Sequence, residues 1–136
     1  MYRLKKKQYM NNKGFTFRKR ILGFKHAFRG FRILLRFEHN AWLHCIIGAC
    51  TIVAGFLLNI SAMEWIAIVI VSGCVFAAEA VNTAVERLSD VVSPEYNSAI
   101  KDVKDLSAGG VLFAAIAAAI TGFIIFLPKI IDLFTT

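Results

Sequence analysis

The chain is short of charged residues, and of acidic ones above all. Asp, Glu, Lys and Arg make up 18% of its 136 residues, against roughly a quarter in an average soluble domain. Only 9 residues are acidic, and none of them precedes Glu38. Hydrophobic residues make up 57% of the chain, which is more than a small soluble core uses. The composition therefore favours an all-α membrane protein over a soluble one.

Three long runs contain no charged side chain, namely residues 39–63, 65–78 and 106–128. The first and the third can each cross ~30 Å of hydrocarbon as a helix that rises about 1.5 Å per residue. The second is long enough if its helix continues through Glu86. The sequence therefore predicts three transmembrane helices, over about residues 40–60, 64–88 and 106–128.

Cysteines and nucleotide-binding glycine loops are also scarce or absent. The 3 cysteines all fall within the predicted spans, at spacings that match no metal-ligand pattern. We interpret them as reduced packing residues. No Gly-x-x-x-x-Gly-Lys run and no kinase glycine-rich loop occurs, which excludes a soluble-type nucleotide fold. Any phosphate chemistry must therefore use a site built by membrane helices.

Positive charge, in contrast, is concentrated at the amino terminus, where 12 of the 16 Lys and Arg residues precede Glu38. The anionic surface of a membrane is the expected partner of this basic arm, and no nucleic acid is expected. Residues 1–14 are predicted to be a disordered basic tail, and residues 15–136 a single membrane domain. Within residues 15–37, apolar residues recur every three or four positions and basic residues occupy the remaining face. This pattern predicts an amphipathic helix in the membrane interface, with a DNA-binding helix as the alternative.

The positive charges also predict the orientation of the chain. The connection between the first two spans carries no Lys or Arg, whereas residues 87–104 carry three. Cytoplasmic segments are enriched in Lys and Arg. The amino terminus and the second connection are therefore predicted to be cytoplasmic.

The segment "EAVNTAVERLSD", residues 79–90, places polar side chains at the end of the second span. On a helix, Glu79, Asn82, Glu86 and Asp90 fall within a sector of about 80° and form one polar stripe. An ionised carboxylate at the depth of Glu79 is costly unless it faces protein, water or a cation. The stripe is therefore predicted to face a functional site.

Three interpretations of this stripe remain open from the residues alone. Its carboxylates could be solvated or paired with the basic arm, or Glu79 could belong to an ion or proton pathway in a small transporter. The third interpretation is a site where carboxylates hold magnesium against a nucleotide and one of them acts as a general base. Glu38, Lys104 and Asp105 are predicted to lie at the same cytoplasmic rim, and they favour the third interpretation.

Two segments, "EAVNTAVERLSD" and "KDVKDLSAGGV" (residues 101–111), resemble the signature regions of the small integral-membrane diacylglycerol kinase and undecaprenol kinase family of bacteria. The resemblance covers about residues 16–128. It implies a kinase that uses ATP and Mg²⁺ to convert diacylglycerol to phosphatidic acid or undecaprenol to undecaprenyl phosphate. It further implies a homotrimer in the inner (cytoplasmic) membrane, with active sites that face the cytoplasm and are shared between neighbouring protomers.

The resemblance also implies roles for individual residues. Glu79 would be the catalytic base and contact the lipid, and Asn82 would order the neighbouring carboxylates. Ala108 would border the lipid substrate. The metal ligands would be Glu38 and Glu86. The implied ATP-binding residues are His26, Glu38, Glu86, Glu95, Tyr96, Asn97, Lys104 and Asp105.

Three positions depart from the better-known pattern of this family. His26 stands where one member has tyrosine, Thr83 replaces a frequent serine, and Ala108 stands where some members have a serine near the lipid head. The residues for phosphoryl transfer are retained. The sequence leaves the choice between diacylglycerol and undecaprenol open.

Overall fold

The computed structural model describes residues 17–135, with the side chains of residues 18–20 left out. The predicted disordered tail, residues 1–14, lies outside the described residues. Those described form four helices and their connections, which confirms the all-α prediction for this part of the chain. The helices are α1 (Phe17–Phe37), α2 (His39–Leu57), α3 (Ala62–Val92) and α4 (Ser98–Thr135).

Three of these helices, α2, α3 and α4, are long and apolar enough to cross a membrane. This agrees with the three spans predicted from the sequence. Many of their large apolar side chains are exposed, among them Phe56 at 70% and Ile124 at 70%. Water would make such exposure unfavourable over so many residues, whereas hydrocarbon does not.

The chain divides into two compact units, Met1–Ile33 and Leu34–Thr136. The described part of the first unit is the beginning of α1, where apolar and basic side chains alike are exposed; Phe24, for example, is 67% exposed. The position of this helix in the membrane interface stays a prediction. The second unit contains the end of α1 and the three long helices.

The connection from α2 to α3 is short and tightly built. Asn59 adopts a left-handed conformation with φ of 48°, which asparagine tolerates better than most residues. Ser61 then caps α3: its Oγ accepts a bond from the Glu64 backbone N–H at 3.3 Å, and its own N–H donates to Glu64 Oε2 at 2.6 Å. A Cβ at Gly55 would lie 2.7 Å from the Trp65 ring. A larger residue at this position would require the Trp65 ring to move.

α3 and α4 pack against each other more extensively than α2 and α3 do. At the end where α3 begins, Ile60, Ile68 and Ile125 form a buried apolar cluster. Beside it, Lys129 Nζ lies 3.4 Å from Glu64 Oε2. These contacts hold α4 against α3 at the end opposite the polar stripe.

α4 begins well before the span predicted over residues 106–128. Asn97 Oδ1 accepts hydrogen bonds from the backbone N–H groups of Ala99 at 3.0 Å and Ile100 at 3.4 Å, and so caps the helix. The helix also continues beyond Pro128 to Thr135. The segment with Lys104 is therefore a helical extension of the span.

Candidate active site

The site begins with Glu79, whose side chain is only 1% exposed. Its Oε2 atom is buried and has no hydrogen-bond partner among the described residues. The backbone carbonyl of Glu79 accepts a hydrogen bond from Thr83 Oγ1 at 2.9 Å. A buried polar atom with no partner is rare in proteins and is costly. The Glu79 carboxylate is therefore available to bind or deprotonate a ligand.

Two other carboxylates act on Glu79. Glu38, between α1 and α2, and Glu86, further along α3, both interact with it electrostatically, as does His44 on α2. Residues from three parts of the second unit thus interact electrostatically with one buried group. Like charges this close together favour a bound cation or a shared proton.

Asn82 connects this cluster to α4. Its side chain is 7% exposed. Its Nδ2 donates to Glu86 Oε1 at 3.0 Å, and its Oδ1 accepts from Ser107 Oγ at 2.6 Å. Ser107 is absent from the residues predicted for the site. The available signal was its position one turn after Lys104.

Lys104 also has a partner that the sequence did not identify. Its Nζ lies 2.5 Å from Asp90 Oδ1, so the last member of the polar stripe pairs with a residue of α4. Asp105, in contrast, pairs with Lys101 at 2.5 Å one turn away on the same helix. Both groups of that second pair are largely exposed, and such surface pairs contribute little to stability.

The resemblance implies that Lys104 binds ATP. On that expectation, Asp90→Asn should weaken the binding of ATP by about two- to fivefold, because an exposed ion pair holds its partners only weakly. The lysine would lose the carboxylate that orients its ammonium group. The measurement is the binding of a non-hydrolysable ATP analogue at constant free Mg²⁺. Lys129→Gln is the control, since it removes an ion pair at the other end of α4. Unchanged or tighter binding in Asp90→Asn would contradict this role.

The connection between α3 and α4 carries three further predicted ATP-binding residues. Tyr96 is 84% exposed, and Glu95 is exposed and accepts a bond from Ser93 Oγ through its carbonyl at 3.2 Å. Asn97 uses its side-chain oxygen to cap α4. The structure therefore gives Asn97 a structural role, and the part of all three in ATP binding stays a prediction.

The remaining predicted residues lie on exposed helix faces. Ala108 follows Ser107 on α4 and is exposed. His26 belongs to α1 in the other unit and is also exposed. Their contacts with lipid and ATP stay predictions.

The carboxylates suit one type of metal site and not another. The described residues contain no group of three or more His, Cys, Asp or Glu side chains that could hold a metal by themselves. Magnesium, however, usually binds one or two protein carboxylates and completes its shell with water and substrate phosphates. The chemistry of Glu38 and Glu86 suits that kind of site, and their role as ligands of magnesium stays a prediction.

An apolar groove of about 440 Å³ lies between α2, α3 and α4. His44 lines this groove and also interacts with Glu79, so one end of the groove lies near the buried carboxylate. The rest of the lining is mainly apolar and includes Val75, Phe76 and Ala118. An apolar chain that carries a hydroxyl at one end has the right chemistry for this groove and for Glu79.

Comparison with known proteins gives consistent results. The sequence matches the family described as prokaryotic diacylglycerol kinase over residues 25–126. It is 36% identical over 107 residues to a Bacillus subtilis protein named undecaprenol kinase, and this covers 79% of the chain and 87% of that protein. It is 33% identical over 114 residues to a Synechocystis protein named diacylglycerol kinase, covering 83% of the chain and 65% of that protein. The range matched by the family, residues 25–126, includes the whole polar stripe.

Proposed function

The chain belongs to the prokaryotic diacylglycerol kinase family and is a multi-pass membrane lipid kinase, and on this basis we propose its reaction. It transfers the γ-phosphoryl group of ATP, in the presence of Mg²⁺, to the hydroxyl of diacylglycerol or undecaprenol. The products are ADP and phosphatidic acid or undecaprenyl phosphate. One of the two relatives is named undecaprenol kinase and the other diacylglycerol kinase. Both acceptors therefore belong to the proposal.

The observation that carries this proposal is the burial of Glu79. Its carboxylate is 1% exposed, has an oxygen without a hydrogen-bond partner among the described residues, and lies near one end of the apolar groove. A general base must reach the proton that it removes, and water must be excluded from the position that the reacting hydroxyl occupies. A lipid with its chain in the groove would bring its hydroxyl to Glu79.

In the proposed reaction, Glu79 takes the proton of the lipid hydroxyl while the oxygen forms its bond to the γ-phosphorus of ATP. The bond from that phosphorus to the leaving oxygen of ADP breaks at the same stage. Phosphoryl transfer depends mainly on alignment and on neutralising charge. Lys104 would bind phosphate oxygens, and Glu38 and Glu86 would hold magnesium. Bound magnesium would neutralise negative charge on the phosphates.

The proposal includes a location and an assembly. The site would face the cytoplasm of a bacterial cell from the inner membrane, where ATP is available. The concentration of Lys and Arg before Glu38 and in the second connection supports this orientation. The basic amino-terminal segment would contact anionic lipid, and three copies of the chain would form the enzyme.

The proposal predicts that the purified protein, reconstituted in lipid vesicles with Mg²⁺ and ATP labelled at the γ-phosphate, labels diacylglycerol, undecaprenol or both. The measurement is the labelled lipid separated by chromatography, with the two acceptors supplied in parallel. Removing Mg²⁺ with a chelator should abolish the labelling. The control vesicles contain lipids without a free hydroxyl.

Failure to label either acceptor at any Mg²⁺ concentration would contradict the kinase proposal. In that case the alternative from the sequence, an ion or proton pathway through Glu79, would be tested in the same vesicles. A flux that is independent of Mg²⁺ and lost in Glu79→Gln would support transport.

A further inference from the structure

We propose that Ser107 is a positioning residue of this site, which orients the side-chain amide of Asn82 so that its NH₂ group faces Glu86. The inference rests on the proposed kinase function for its catalytic consequence. The hydrogen bonds that carry it are independent of that function.

The geometry is a chain of two hydrogen bonds between α4 and α3. Ser107 Oγ lies 2.6 Å from Asn82 Oδ1, and Asn82 Nδ2 lies 3.0 Å from Glu86 Oε1. Asn82 is buried, while Ser107 and Glu86 are partly buried. Water therefore competes weakly for these bonds, and their direction is set by the groups themselves.

The number of protons that Ser107, Asn82 and Glu86 can donate determines which group is the donor in each of the two hydrogen bonds. A carboxylate of Glu86 can only accept, so it requires the NH₂ side of the Asn82 amide. The amide oxygen then faces Ser107 and requires a donor. The Ser107 hydroxyl has one proton and two acceptors within reach, Asn82 Oδ1 and the Lys104 carbonyl at 2.9 Å. Giving the proton to Asn82 satisfies all three side chains.

The opposite orientation of the amide is unfavourable beside the Glu86 carboxylate. Rotating the Asn82 side chain by half a turn would place its oxygen against the Glu86 carboxylate, two acceptors with no proton between them. Without the Ser107 hydroxyl, the Asn82 oxygen would lose its donor, and the amide would be held from one side only. Glu86 is the proposed magnesium ligand, so its orientation depends on this amide.

Ser107 also joins two parts of the proposed site. It lies on α4 one turn after Lys104, the proposed phosphate-binding residue, whereas Asn82 and Glu86 lie on α3. The bond from Ser107 to Asn82 therefore fixes the turn of α4 that carries the lysine against the carboxylates of α3. Helices in a membrane are commonly held together by such hydroxyl and amide contacts.

The test compares Ser107→Ala and Ser107→Thr, where threonine retains the hydroxyl, with the control Thr121→Ala. Thr121 also lies on α4, but among the described residues its hydroxyl donates only to the carbonyl of Ala117 on its own helix. Groups that orient a metal ligand typically contribute 10–100-fold to metal affinity. Ser107→Ala should therefore raise the Mg²⁺ concentration for half-maximal kinase activity by about tenfold. The KM for the lipid should not change, and Ser107→Thr should restore the Mg²⁺ dependence.

A second measurement does not depend on catalysis. Mn²⁺ binding in the presence of a non-hydrolysable ATP analogue, followed by electron paramagnetic resonance, should weaken about tenfold in Ser107→Ala and not in Thr121→Ala. In an Asn82→Ala background, Ser107→Ala should cause no further loss, because the amide that it orients is already absent. If the alanine variant does not fold, Ser107→Cys keeps nearly the same volume with a weaker donor and serves instead.

The outcomes separate this inference from the kinase proposal. Equal Mn²⁺ binding in Ser107→Ala and Thr121→Ala, in a protein that still phosphorylates lipid, would overturn the positioning role alone. A full additional loss in the Asn82→Ala background would also overturn it. Absence of lipid phosphorylation by the unmodified protein would overturn the kinase proposal, while a Ser107-dependent loss of Mn²⁺ binding would still support the positioning role.

Discussion

Glu79→Gln should lower kcat by about 10²–10⁴-fold, the usual contribution of a general base, while leaving nucleotide binding intact. Glutamine has nearly the shape of glutamate but cannot take the proton of the lipid hydroxyl. The side chain is 1% exposed and has an oxygen that lacks a hydrogen-bond partner among the described residues. Neutralising a buried group of this kind should not destabilise the fold, and should raise the unfolding temperature if it changes it at all.

The measurement is kcat in vesicles together with the unfolding temperature of the same preparation. Glu64→Gln is the matched control, because Glu64 lies at the opposite end of the same helix, where it pairs with the cap residue Ser61. It should keep most of the activity. A Glu79→Gln protein that retained more than a small fraction of kcat would contradict the role as base. Loss of activity that accompanies unfolding would point to a structural role.

Glu86→Gln should have the second large effect, a fall in kcat/KM for Mg²⁺-ATP of roughly 10²-fold. This is the upper end of the range seen when groups that support a metal ligand are removed, and Glu86 is proposed as a ligand itself. In the unmodified protein, Asn82 Nδ2 donates to Glu86 Oε1 at 3.0 Å. The side-chain oxygen of glutamine can still accept this hydrogen bond, so the fold should be retained. What is lost is the negative charge that holds magnesium.

A titration with Mg²⁺ distinguishes the two variants. High Mg²⁺ should restore part of the activity of Glu86→Gln and none of the activity of Glu79→Gln. Asp102→Asn is the control for charge, since Asp102 is an exposed carboxylate on α4 that has no proposed role in the site. If Glu86→Gln showed the same Mg²⁺ dependence as the unmodified protein, Glu86 could not be a metal ligand.

Much of the fold could be predicted because the membrane imposes strict rules on composition and backbone hydrogen bonding. Charge-free runs long enough to cross the hydrocarbon must be helices, and the three long helices α2, α3 and α4 agree with that prediction. The polar stripe could be predicted for a similar reason. Glu79, Asn82 and Glu86 are close along one helix, and their common face follows from helical periodicity alone.

The boundaries of α4 were less predictable. Its early start depends on the cap that Asn97 provides, and an asparagine in a polar connection is as typical of a turn as of a helix start. Lysines and aspartates follow this asparagine, and a helix outside the hydrocarbon tolerates them. A span predicted from hydropathy, however, cannot include so many charged residues. Lys104 therefore lies on a helix, whereas the sequence placed it in the connection between two predicted spans.

The contacts between helices could not be predicted from spacing. Ser107 and Asn82 are 25 residues apart, and Asp90 and Lys104 are 14 apart. No local pattern relates two residues on different helices, because their meeting depends on how the helices rotate and slide against each other. Ser107 and the partner of Asp90 could therefore not be predicted from the sequence.

The amino-acid sequence by itself determined that the protein is helical and membrane-spanning, and that one helix ends in a face of carboxylates and amide. These features depend on local composition and on the 3.6-residue period of the helix, both of which the sequence contains directly. The tertiary structure alone decided that Glu79 is buried, with one oxygen that has no hydrogen-bond partner among the described residues, and that Ser107 completes the hydrogen bonds of Asn82. Burial and hydrogen-bond partners arise only when separate helices pack together, and a site for phosphoryl transfer depends on that packing.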